Sequence, residues 1–315
     1  MNQRYAIGVD FGGTAIKTGL VNTQGEIVYQ TSLPTRADEG PTIVIGEIQK
    51  TIEQVLSHTK KEILGIGISA AGIVEKKGGV IKNPPNFKNW EIVALGDEIK
   101  KIFSCTVEVE NDANAAAIAE AKFGAGKNHK DFLFVIWGTG VGGGIIMDGK
   151  IYRGPFGGAG EIGHICIDYN GVPCNCGSRG CIEAYIGQRY LSQRTIEKLS
   201  RQSQSIIPKF VNGEFKNLEP IHIAQAANAR DEFAKNILHE AGTLLGVALA
   251  SFMNILDFRI SIIGGGISGA GNLIFPAIQQ SVVNHVQKPL KDGIQVLPAQ
   301  LGNTAGILGA AGLVL

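Results

Sequence analysis

Residues 4–31, RYAIGVDFGGTAIKTGLVNTQGEIVYQT, decide the fold class of this chain. Apolar residues continue up to Asp10, two glycines follow, and apolar segments resume over 15–21 and 26–31. Short apolar segments separated by turns that contain glycine and asparagine are typical of antiparallel strands. The stretch therefore predicts a three-stranded meander whose first turn holds the glycine pair.

The pattern after this meander predicts an α/β protein. Strand, glycine-rich turn and strand recur in the same order near 7–20 and 133–147, which indicates a structural duplication. Two α/β lobes with a cleft between them are the natural architecture for such a chain. Helices are expected over 41–57, 92–103, much of 185–257, 271–287, 304–314 and from Asp112 onward, strands over 63–68, 106–109, 132–137, 142–147, 259–263 and 294–297, and a long loop over 72–91.

Composition excludes several classes of protein. Hydrophobic residues make up 44% of the 315 residues and charged residues 18%, which is incompatible with global disorder. A net charge of +1 argues against a surface built to bind polyanions. The first residues have no apolar run of signal-peptide length, and no run approaches 18 apolar residues. We therefore expect a cytoplasmic protein without a membrane span.

Two glycine-rich turns are candidate phosphate loops. Asp10-Phe11-Gly12-Gly13-Thr14, followed by Lys17, offers backbone N–H groups, a hydroxyl and a carboxylate able to hold Mg²⁺. An ordinary hairpin is the alternative, and a Walker A loop is excluded because its glycine–lysine spacing is absent. The second turn, GTGVGGG at 138–144, follows a buried strand. A Rossmann site is the alternative there, but it requires a helix after the glycines. Gly264-Gly265-Gly266 could let a nucleoside lie against backbone.

Asp112, in the stretch ENDAN at 110–114, is the candidate general base. Phosphoryl transfer from ATP to an alcohol needs a carboxylate that accepts the hydroxyl proton. The dipole of the helix that begins here would favour the ionised carboxylate. The alternative is that Asp112 serves only as the N-cap of this helix.

One histidine and three cysteines crowd into a segment that follows Glu161. Their residue types fit a closed, tetrahedral Cys₃His zinc site of structural type. A disulfide or buried free thiols are the alternatives, while Cys105 and Cys166 are expected to be core thiols. The predicted zinc ligands are His164, Cys174, Cys176 and Cys181.

Taken together, these motifs resemble the ROK family of sugar kinases and repressors, within the actin-like/hexokinase ATPase superfamily. DFGGT, ENDANAAA, GTGVGGG, GGAGEIGH, CNCGSRGCIE and IIGGG appear in family order over nearly the whole chain. The resemblance implies two ribonuclease-H-like lobes with an active-site cleft between them. Residues 1–117 would form the small lobe, joined by a C-terminal helix over 303–315, and 118–302 the large lobe with the zinc loop.

The resemblance also implies roles for individual residues. The phosphates of ATP and Mg²⁺ would be bound by Asp10, Gly12, Gly13, Thr14 and Lys17, with Gly138, Thr139 and Gly140 as the second phosphate loop and Gly265 and Gly266 beside the adenosine. The sugar would be bound by Gly72, Asn86, Asn111, Asp112, Glu161, His164 and Glu183.

The implied activity is that of an ATP:hexose phosphotransferase, with glucose converted to glucose 6-phosphate as the leading expectation. Fructose, mannose, N-acetylglucosamine and N-acetylmannosamine are the alternative acceptors, and a homodimer is the family expectation. A sugar-sensing repressor is the alternative of a different class. Only nine residues precede Asp10, fewer than a winged helix-turn-helix requires, so we expect no nucleic-acid partner.

Overall fold

The computed structural model describes residues 4–82, 84, 87, 89–201 and 204–315. The chain divides into two compact units. Unit 1 comprises Met1–Lys130, Gly144–Gly160 and Gln300–Leu315, and unit 2 comprises Asp131–Gly143 and Glu161–Ala299.

Strands and helices alternate along much of the chain. The strands are β1 (Tyr5–Phe11), β2 (Ala15–Asn22), β3 (Ile27–Pro34), β4 (Ile63–Ala70), β5 (Ile73–Glu75), β6 (Val80–Lys82), β7 (Ile92–Ala94), β8 (Val107–Asn111), β9 (Phe132–Trp137), β10 (Val141–Met147), β11 (Lys150–Tyr152), β12 (Ile260–Gly264) and β13 (Gln295–Pro298). The helices are α1 (Pro41–Leu56), α2 (Leu95–Ile102), α3 (Asp112–Phe123), α4 (Glu183–Ile186), α5 (Gln188–Leu199), α6 (Ile207–Phe210), α7 (Pro220–Asn228), α8 (Glu232–Leu256), α9 (Phe275–His285) and α10 (Ala305–Gly312).

Unit 1 is built on a five-stranded sheet of order β3-β2-β1-β4-β8. Its first three strands form the antiparallel meander predicted from the sequence, and β4 and β8 run parallel to β1. The alternation along β1 assigns its two faces. Tyr5, Ile7, Val9 and Phe11 belong to the core cluster that includes the buried side of α1, whereas Ala6 belongs to a cluster with α10.

The second face of this sheet carries Gly8 on β1 and Gly67 on β4, and α10 lies directly on these glycines. A Cβ placed on Gly8 would lie 2.0 Å from the carbonyl oxygen of Ile307, and one on Gly67 would lie 1.7 Å from that of Ala310. On the helix side, a Cβ on Gly309 would lie 1.9 Å from the carbonyl oxygen of Ala115 in α3. Backbone therefore meets backbone, and no side chain larger than hydrogen fits at these positions.

Unit 2 repeats the parallel part of this arrangement. Strand β12 pairs in parallel with both β9 and β13, as β4 does with β1 and β8. In both units the first of these strands runs into a glycine-containing turn, as the predicted duplication requires. Helix α8 approaches α9 closely, because a Cβ on Gly246 would lie 2.7 Å from the Ile278 carbonyl oxygen. Although α8 has 25 residues, no helix of the described chain combines the length and apolarity that crossing a membrane demands.

Two predictions about local structure were wrong. The predicted loop over 72–91 contains β5 and β6, and the predicted helix over 92–103 begins as strand β7. These strands have three residues each and form a small antiparallel sheet. Segments this short carry no measurable two-residue periodicity, so tertiary pairing decides their conformation.

The expected lobe boundary between residues 117 and 118 falls inside α3, which lies wholly in unit 1. Unit 1 also takes up Gly144–Gly160 and Gln300–Leu315. Small residues hold α3 against α10, since a Cβ on Gly309 would lie 1.9 Å from the carbonyl oxygen of Ala115. Gln300 and Leu301 are fixed to α3 as well, because their N–H groups donate to the buried Glu120 carboxylate at 2.9 Å.

We predict that Gly67→Ala lowers the free energy of unfolding of the chain by about 1–3 kcal/mol or more, since overpacking against backbone cannot relax by a rotamer change. Gly46→Ala in α1 is the matched control. Nothing lies within 4 Å of a Cβ at Gly46, so alanine should stabilise by about 0.5–1 kcal/mol through helix propensity. Urea denaturation of both variants measures the difference, and equal midpoints would contradict the close seating of α10.

Candidate active site and metal centre

Asp10 lies near the end of β1, on the glycine face of the sheet. In the strand register it faces Lys17 on β2 and Ser69 on β4. Its carboxylate also meets the first turn of α10, because a Cβ on Gly306 would lie 2.4 Å from its Cγ. A helix N-terminus favours an anion, so the glycine at 306 lets a carboxylate occupy a position that suits its charge.

The pKa of Asp10 is raised above its ordinary value by burial, and the Asp112 carboxylate adds to the rise while Lys17 opposes it. Asp10 and Asp112 therefore share one electrostatic environment within unit 1. A divalent cation would relieve the repulsion between two such carboxylates, so the carboxylate oxygens fit Mg²⁺.

The glycine turn after β1 is held by Thr35, the residue that follows β3. The N–H of Gly12 donates to the Ala15 carbonyl at 3.2 Å, closing the turn. The Thr35 hydroxyl donates to the Gly12 carbonyl at 2.6 Å, and the Thr35 N–H donates to the Thr14 carbonyl at 3.0 Å. Thr14 itself is exposed. The turn is thus fixed by its carbonyls, while the Thr14 side chain faces solvent.

Asn111, rather than Asp112, is the N-cap of α3. Its Oδ1 accepts hydrogen bonds from the N–H groups of Ala113 at 2.9 Å and Asn114 at 3.1 Å. The N-cap reading of Asp112 is therefore wrong, because the preceding amide already fills that role. Asp112 occupies the first helical position instead.

Asp112 is exposed to solvent, yet the surrounding protein desolvates its carboxylate and raises its pKa above the ordinary value. Hydrogen bonds from the Ala113 N–H, at 2.9 Å, and from Asn111 Nδ2, at 3.1 Å, oppose the rise. Both bonds reach Oδ1. A carboxylate that is fixed by its neighbours and has a raised pKa has the properties of a general base.

Gly72 joins this group through its backbone. Its carbonyl accepts from Asn111 Nδ2 at 3.0 Å, and its φ of 100° is one that glycine tolerates. Asn86, the other predicted sugar ligand on this side, lies outside the described residues. Asn111 therefore links Gly72 to Asp112 with one amide nitrogen.

The second glycine loop, in unit 2, is held by Glu183. The Gly138 N–H donates to the Gly140 carbonyl at 3.0 Å, and the Val141 N–H donates to Glu183 Oε2 at 2.9 Å. A Cβ on Gly140 would lie 2.4 Å from the same oxygen. Glu183 is thus placed against the predicted phosphate loop itself.

Gly265 and Gly266 reach the same loop from β12. Gly265 has a φ of 91°, and a Cβ there would lie 2.4 Å from the Trp137 carbonyl oxygen. A Cβ on Gly138 would lie 4.0 Å from the Gly266 nitrogen. Thr139 lines a cavity of about 780 Å³ whose walls come from α5 and from 215–219. A nucleotide-sized space therefore opens beside the loop.

The predicted zinc ligands come together in unit 2. One ligand atom from each of His164, Cys174, Cys176 and Cys181 can be chosen so that all four lie within 4.8 Å of one another. Cys174 Sγ lies 3.8 Å from His164 Nδ1, and Cys176 Sγ lies 3.7 Å from Cys181 Sγ. Four ligands around one Zn²⁺ would be about 3.5–3.8 Å apart, given bonds of about 2.0–2.3 Å. The cluster fits zinc.

Two of the three thiols would not ionise readily by themselves, because burial raises the pKa of Cys174 and of Cys181, whereas a hydrogen bond from the Ser178 backbone lowers the pKa of Cys176. Burial, followed by hydrogen bonds from the neighbouring cysteines, raises the pKa of Cys181 to about 12. A bound divalent cation stabilises thiolates and removes this penalty. Because His164 Nδ1 faces the cysteines, its Nε2 is left toward Glu161, whose Oε2 lies 3.9 Å away. All five cysteines are free thiols, and Cys166 is exposed rather than buried as predicted, since it lies on the largely exposed segment between His164 and Cys174.

The structure sorts the predicted site residues into two sets. Unit 1 holds Gly72, Asn111 and Asp112 with Asp10, Gly12, Gly13, Thr14 and Lys17. Unit 2 holds Glu161, His164 and Glu183 with Gly138, Thr139, Gly140, Gly265 and Gly266.

Three neighbours of the site were missed in the sequence: Gly306, Glu110 and Arg153. In the sequence, Glu110 is notable only because it precedes Asn111. Arg153 is notable only as a charged residue before the glycine-rich stretch 154–160. Glu110 and Arg153 matter because their side chains contact each other although they are 43 positions apart, and no local sequence pattern reveals such a contact.

Comparison with known proteins gives a family match over residues 6–315, to the ROK family. A glucokinase from Thermotoga maritima is 35% identical over 308 residues, which cover 98% of this chain and 96% of that protein. A xylose repressor from Bacillus subtilis is 30% identical over 314 residues, covering 99% of this chain and 77% of the repressor.

Among solved structures, a ROK family glucokinase from Streptomyces griseus, in complex with glucose and AMPPNP, matches with a TM-score of 0.83 and 34% identity. The match covers 98% of this chain and 99% of that one. This similarity confirms the predicted fold class, the α/β fold of the actin-like/hexokinase ATPases.

We predict that Cys176→Ser loses the bound metal and lowers the melting temperature, because the ligand set drops below four and binding energy is part of the folding energy. Metal analysis of the purified protein should give one zinc ion per chain. The control is Cys105→Ser, which removes a thiol of unit 1 that is not part of the cluster. Wild-type protein that is folded and contains no zinc would contradict the assignment.

Proposed function

Because the chain belongs to the ROK family, we propose that it is an ATP-dependent hexose kinase that converts glucose to glucose 6-phosphate. The observation that carries the proposal is Asp112, a fixed carboxylate with a raised pKa, in the same electrostatic environment as Asp10. A base beside a cation-binding carboxylate is the arrangement that phosphoryl transfer to an alcohol requires. The glucokinase relatives support glucose as the acceptor.

Asp112 accepts the proton of the sugar 6-hydroxyl while that oxygen forms a bond to the γ-phosphorus of ATP. The bond between the γ-phosphorus and the bridging oxygen breaks, and ADP leaves. The raised pKa of Asp112 brings its basicity closer to working pH, which favours proton transfer. Asn111 orients the carboxylate through its Nδ2 at 3.1 Å.

The charge of the transferred group would be stabilised by two sets of groups. Asp10 would hold Mg²⁺, directly or through water, and the ion supplies charge neutralisation at the phosphates when bound. Thr14 and Lys17 contribute a hydroxyl and an ammonium group near the same turn. The backbone N–H groups of Thr139 and Gly140 would serve the second phosphate contact, since the Gly138 N–H already donates to the Gly140 carbonyl.

The nucleoside of ATP occupies the cavity beside Thr139. Gly266 adjoins the same loop, and nothing lies within 4 Å of a Cβ placed on it, so a flat group could lie against its backbone. The cavity has the volume expected of a ligand pocket.

The sugar is recognised by hydroxyl-binding groups. The contacts we propose are Glu161, His164 Nε2 and Glu183 in unit 2, and Gly72, Asn86 and Asp112 in unit 1. Asn111 takes part by holding Asp112, because its amide already bonds to Gly72, Asp112 and two N–H groups of α3. Polar groups placed for particular hydroxyls discriminate strongly, because an analogue that lacks one leaves its partner unpaired.

A sugar-sensing role without catalysis is the second candidate, since the xylose repressor from Bacillus subtilis is 30% identical. The residues of phosphoryl transfer speak for the enzyme: Asp112 and both glycine loops are present, and Asp112 is not consumed as a helix cap. Measuring ADP release with glucose separates the two.

Cellular location and assembly follow from the same proposal. The four-ligand cluster needs reduced cysteines and the reaction needs ATP, both of which the cytoplasm supplies. The family resemblance supports a homodimer, which light scattering in solution tests directly.

We predict that Asp112→Asn lowers kcat by about 10²–10⁴-fold, the usual contribution of a general base, while glucose binding is retained. The acidic limb of the wild-type pH–rate profile should lie above the ordinary aspartate pKa of 3.8, because protonation inactivates the base and burial raises its pKa. The limb should be absent from the residual activity of the variant. A variant that keeps more than about a tenth of kcat would show that Asp112 is not the base.

The substrate assignment is tested with a sugar panel. We predict that kcat/KM for glucose exceeds that for fructose, N-acetylglucosamine and N-acetylmannosamine by about tenfold or more, or about 1.4 kcal/mol of transition-state discrimination. Mannose should compete more closely, since only the orientation of its 2-hydroxyl differs. A panel won by fructose or an N-acetylhexosamine would leave the kinase proposal standing and overturn the glucokinase one.

A further inference from the structure

We propose that Glu110 is a positioning residue for the phosphoryl-transfer reaction, joining the helix start that carries Asp112 to the segment that begins at Arg153. The inference rests on the kinase function proposed above. Glu110 contacts no reacting atom, and it acts through the residues that it holds.

One oxygen of the Glu110 carboxylate fixes the start of α3. Its Oε1 accepts from the Asn111 N–H at 3.0 Å and from Asn114 Nδ2 at 3.0 Å. These two residues flank Asp112 and Ala113 in sequence. The same Asn111 holds Asp112 Oδ1 and caps the helix. The orientation of the base is therefore set by Asn111, and the position of Asn111 is set by Glu110.

The other oxygen fixes Arg153. Glu110 Oε2 accepts from Arg153 Nε at 2.6 Å and from its Nη2 at 2.5 Å. Arg153 in turn begins a closed glycine-rich segment, since its carbonyl accepts from the Ala159 N–H at 3.1 Å. Gly160 ends that segment, and the next residue is Glu161, a proposed sugar ligand. One carboxylate thus orders the base on one side and the approach to a sugar ligand on the other.

Burial of the ion pair between Glu110 and Arg153 makes the local backbone sensitive to substitution of either residue. The Glu110 side chain is 5% exposed and that of Arg153 is 31% exposed. A charge this buried is costly to leave without its partner, so either substitution should shift the backbone that the pair holds. The alternative is that the pair serves stability alone, and the two readings differ in what happens to turnover.

A double-mutant cycle between Glu110 and Asp112 tests the proposal in the full-length, zinc-containing chain. Glu110→Gln keeps an acceptor for Asn111 and removes the charge that binds Arg153. We expect kcat to fall by about tenfold or more, since small displacements of a catalytic group cost up to about 100-fold. The KM for glucose should rise, and the KM for ATP should stay within about twofold of wild type. In the Asp112→Asn background, Glu110→Gln should change the residual kcat by less than about twofold, because the base through which it acts is absent.

Glu47→Gln is the matched control. Glu47 lies in the same unit, its side chain is 9% exposed, and it pairs with Arg36 and Lys50 away from Asp112. It should lose stability with kcat unchanged. Arg153→Lys is the second variant, used if Glu110→Gln does not fold, because it keeps the positive charge and loses the paired N–H geometry.

Three outcomes would overturn the inference: wild-type kcat in Glu110→Gln or Arg153→Lys, kcat losses that multiply independently with Asp112→Asn, or an equal loss in Glu47→Gln. Each can occur with a fully active wild-type kinase. A wild-type chain that phosphorylates no sugar would instead refute the proposed function, and this inference with it.

Discussion

The contact of α10 with the glycine face of the unit 1 sheet is the constraint on which the candidate site depends. Gly8 and Gly67 let the helix backbone touch β1 and β4. With α10 at this depth, Gly306 meets the Asp10 carboxylate. If a single methyl group held the helix farther from the sheet, its N-terminus would lie farther from that carboxylate. Packing between two main chains thus determines the electrostatic environment of a side chain that would bind Mg²⁺.

A second feature of the site is that the cap of α3 and the candidate base are two different residues. An aspartate at the cap position would commit one of its two carboxylate oxygens to backbone N–H groups. The chain places Asn111 in the cap and leaves Asp112 in the first turn. Glu183 has a comparable position in unit 2, where one oxygen accepts from Val141. In both places a polar side chain fixes backbone beside the chemistry, so the reacting groups need not fix themselves.

The sequence predicted those parts of the fold that have a local signal. The meander over 4–31, the strands 132–137 and 259–263 and the four zinc ligands were found from periodicity, turn residues and ligand type. The small sheet over 73–94 was missed because its strands are too short to show a period. The contribution of Glu110 could not be predicted because its partner Arg153 is brought close only by the tertiary fold. Gly306 was hidden for a related reason: its role is defined by the space that a carboxylate from β1 occupies.

The closing of Gln300–Leu315 onto Met1–Lys130 has a consequence for how the protein is made. On the ribosome, most multidomain chains fold their N-terminal domain first, as it emerges. Here the opening sheet is synthesised early, yet the helix that covers its glycine face is translated only after all of unit 2. Gly8 and Gly67 of the nascent sheet therefore stay uncovered until α10 has been synthesised. The carboxylate of Asp10 contacts this helix only at that last stage. Premature termination within unit 2 would release a polypeptide that lacks this helix. Such an incomplete product would expose one face of the sheet, which would make it susceptible to proteases.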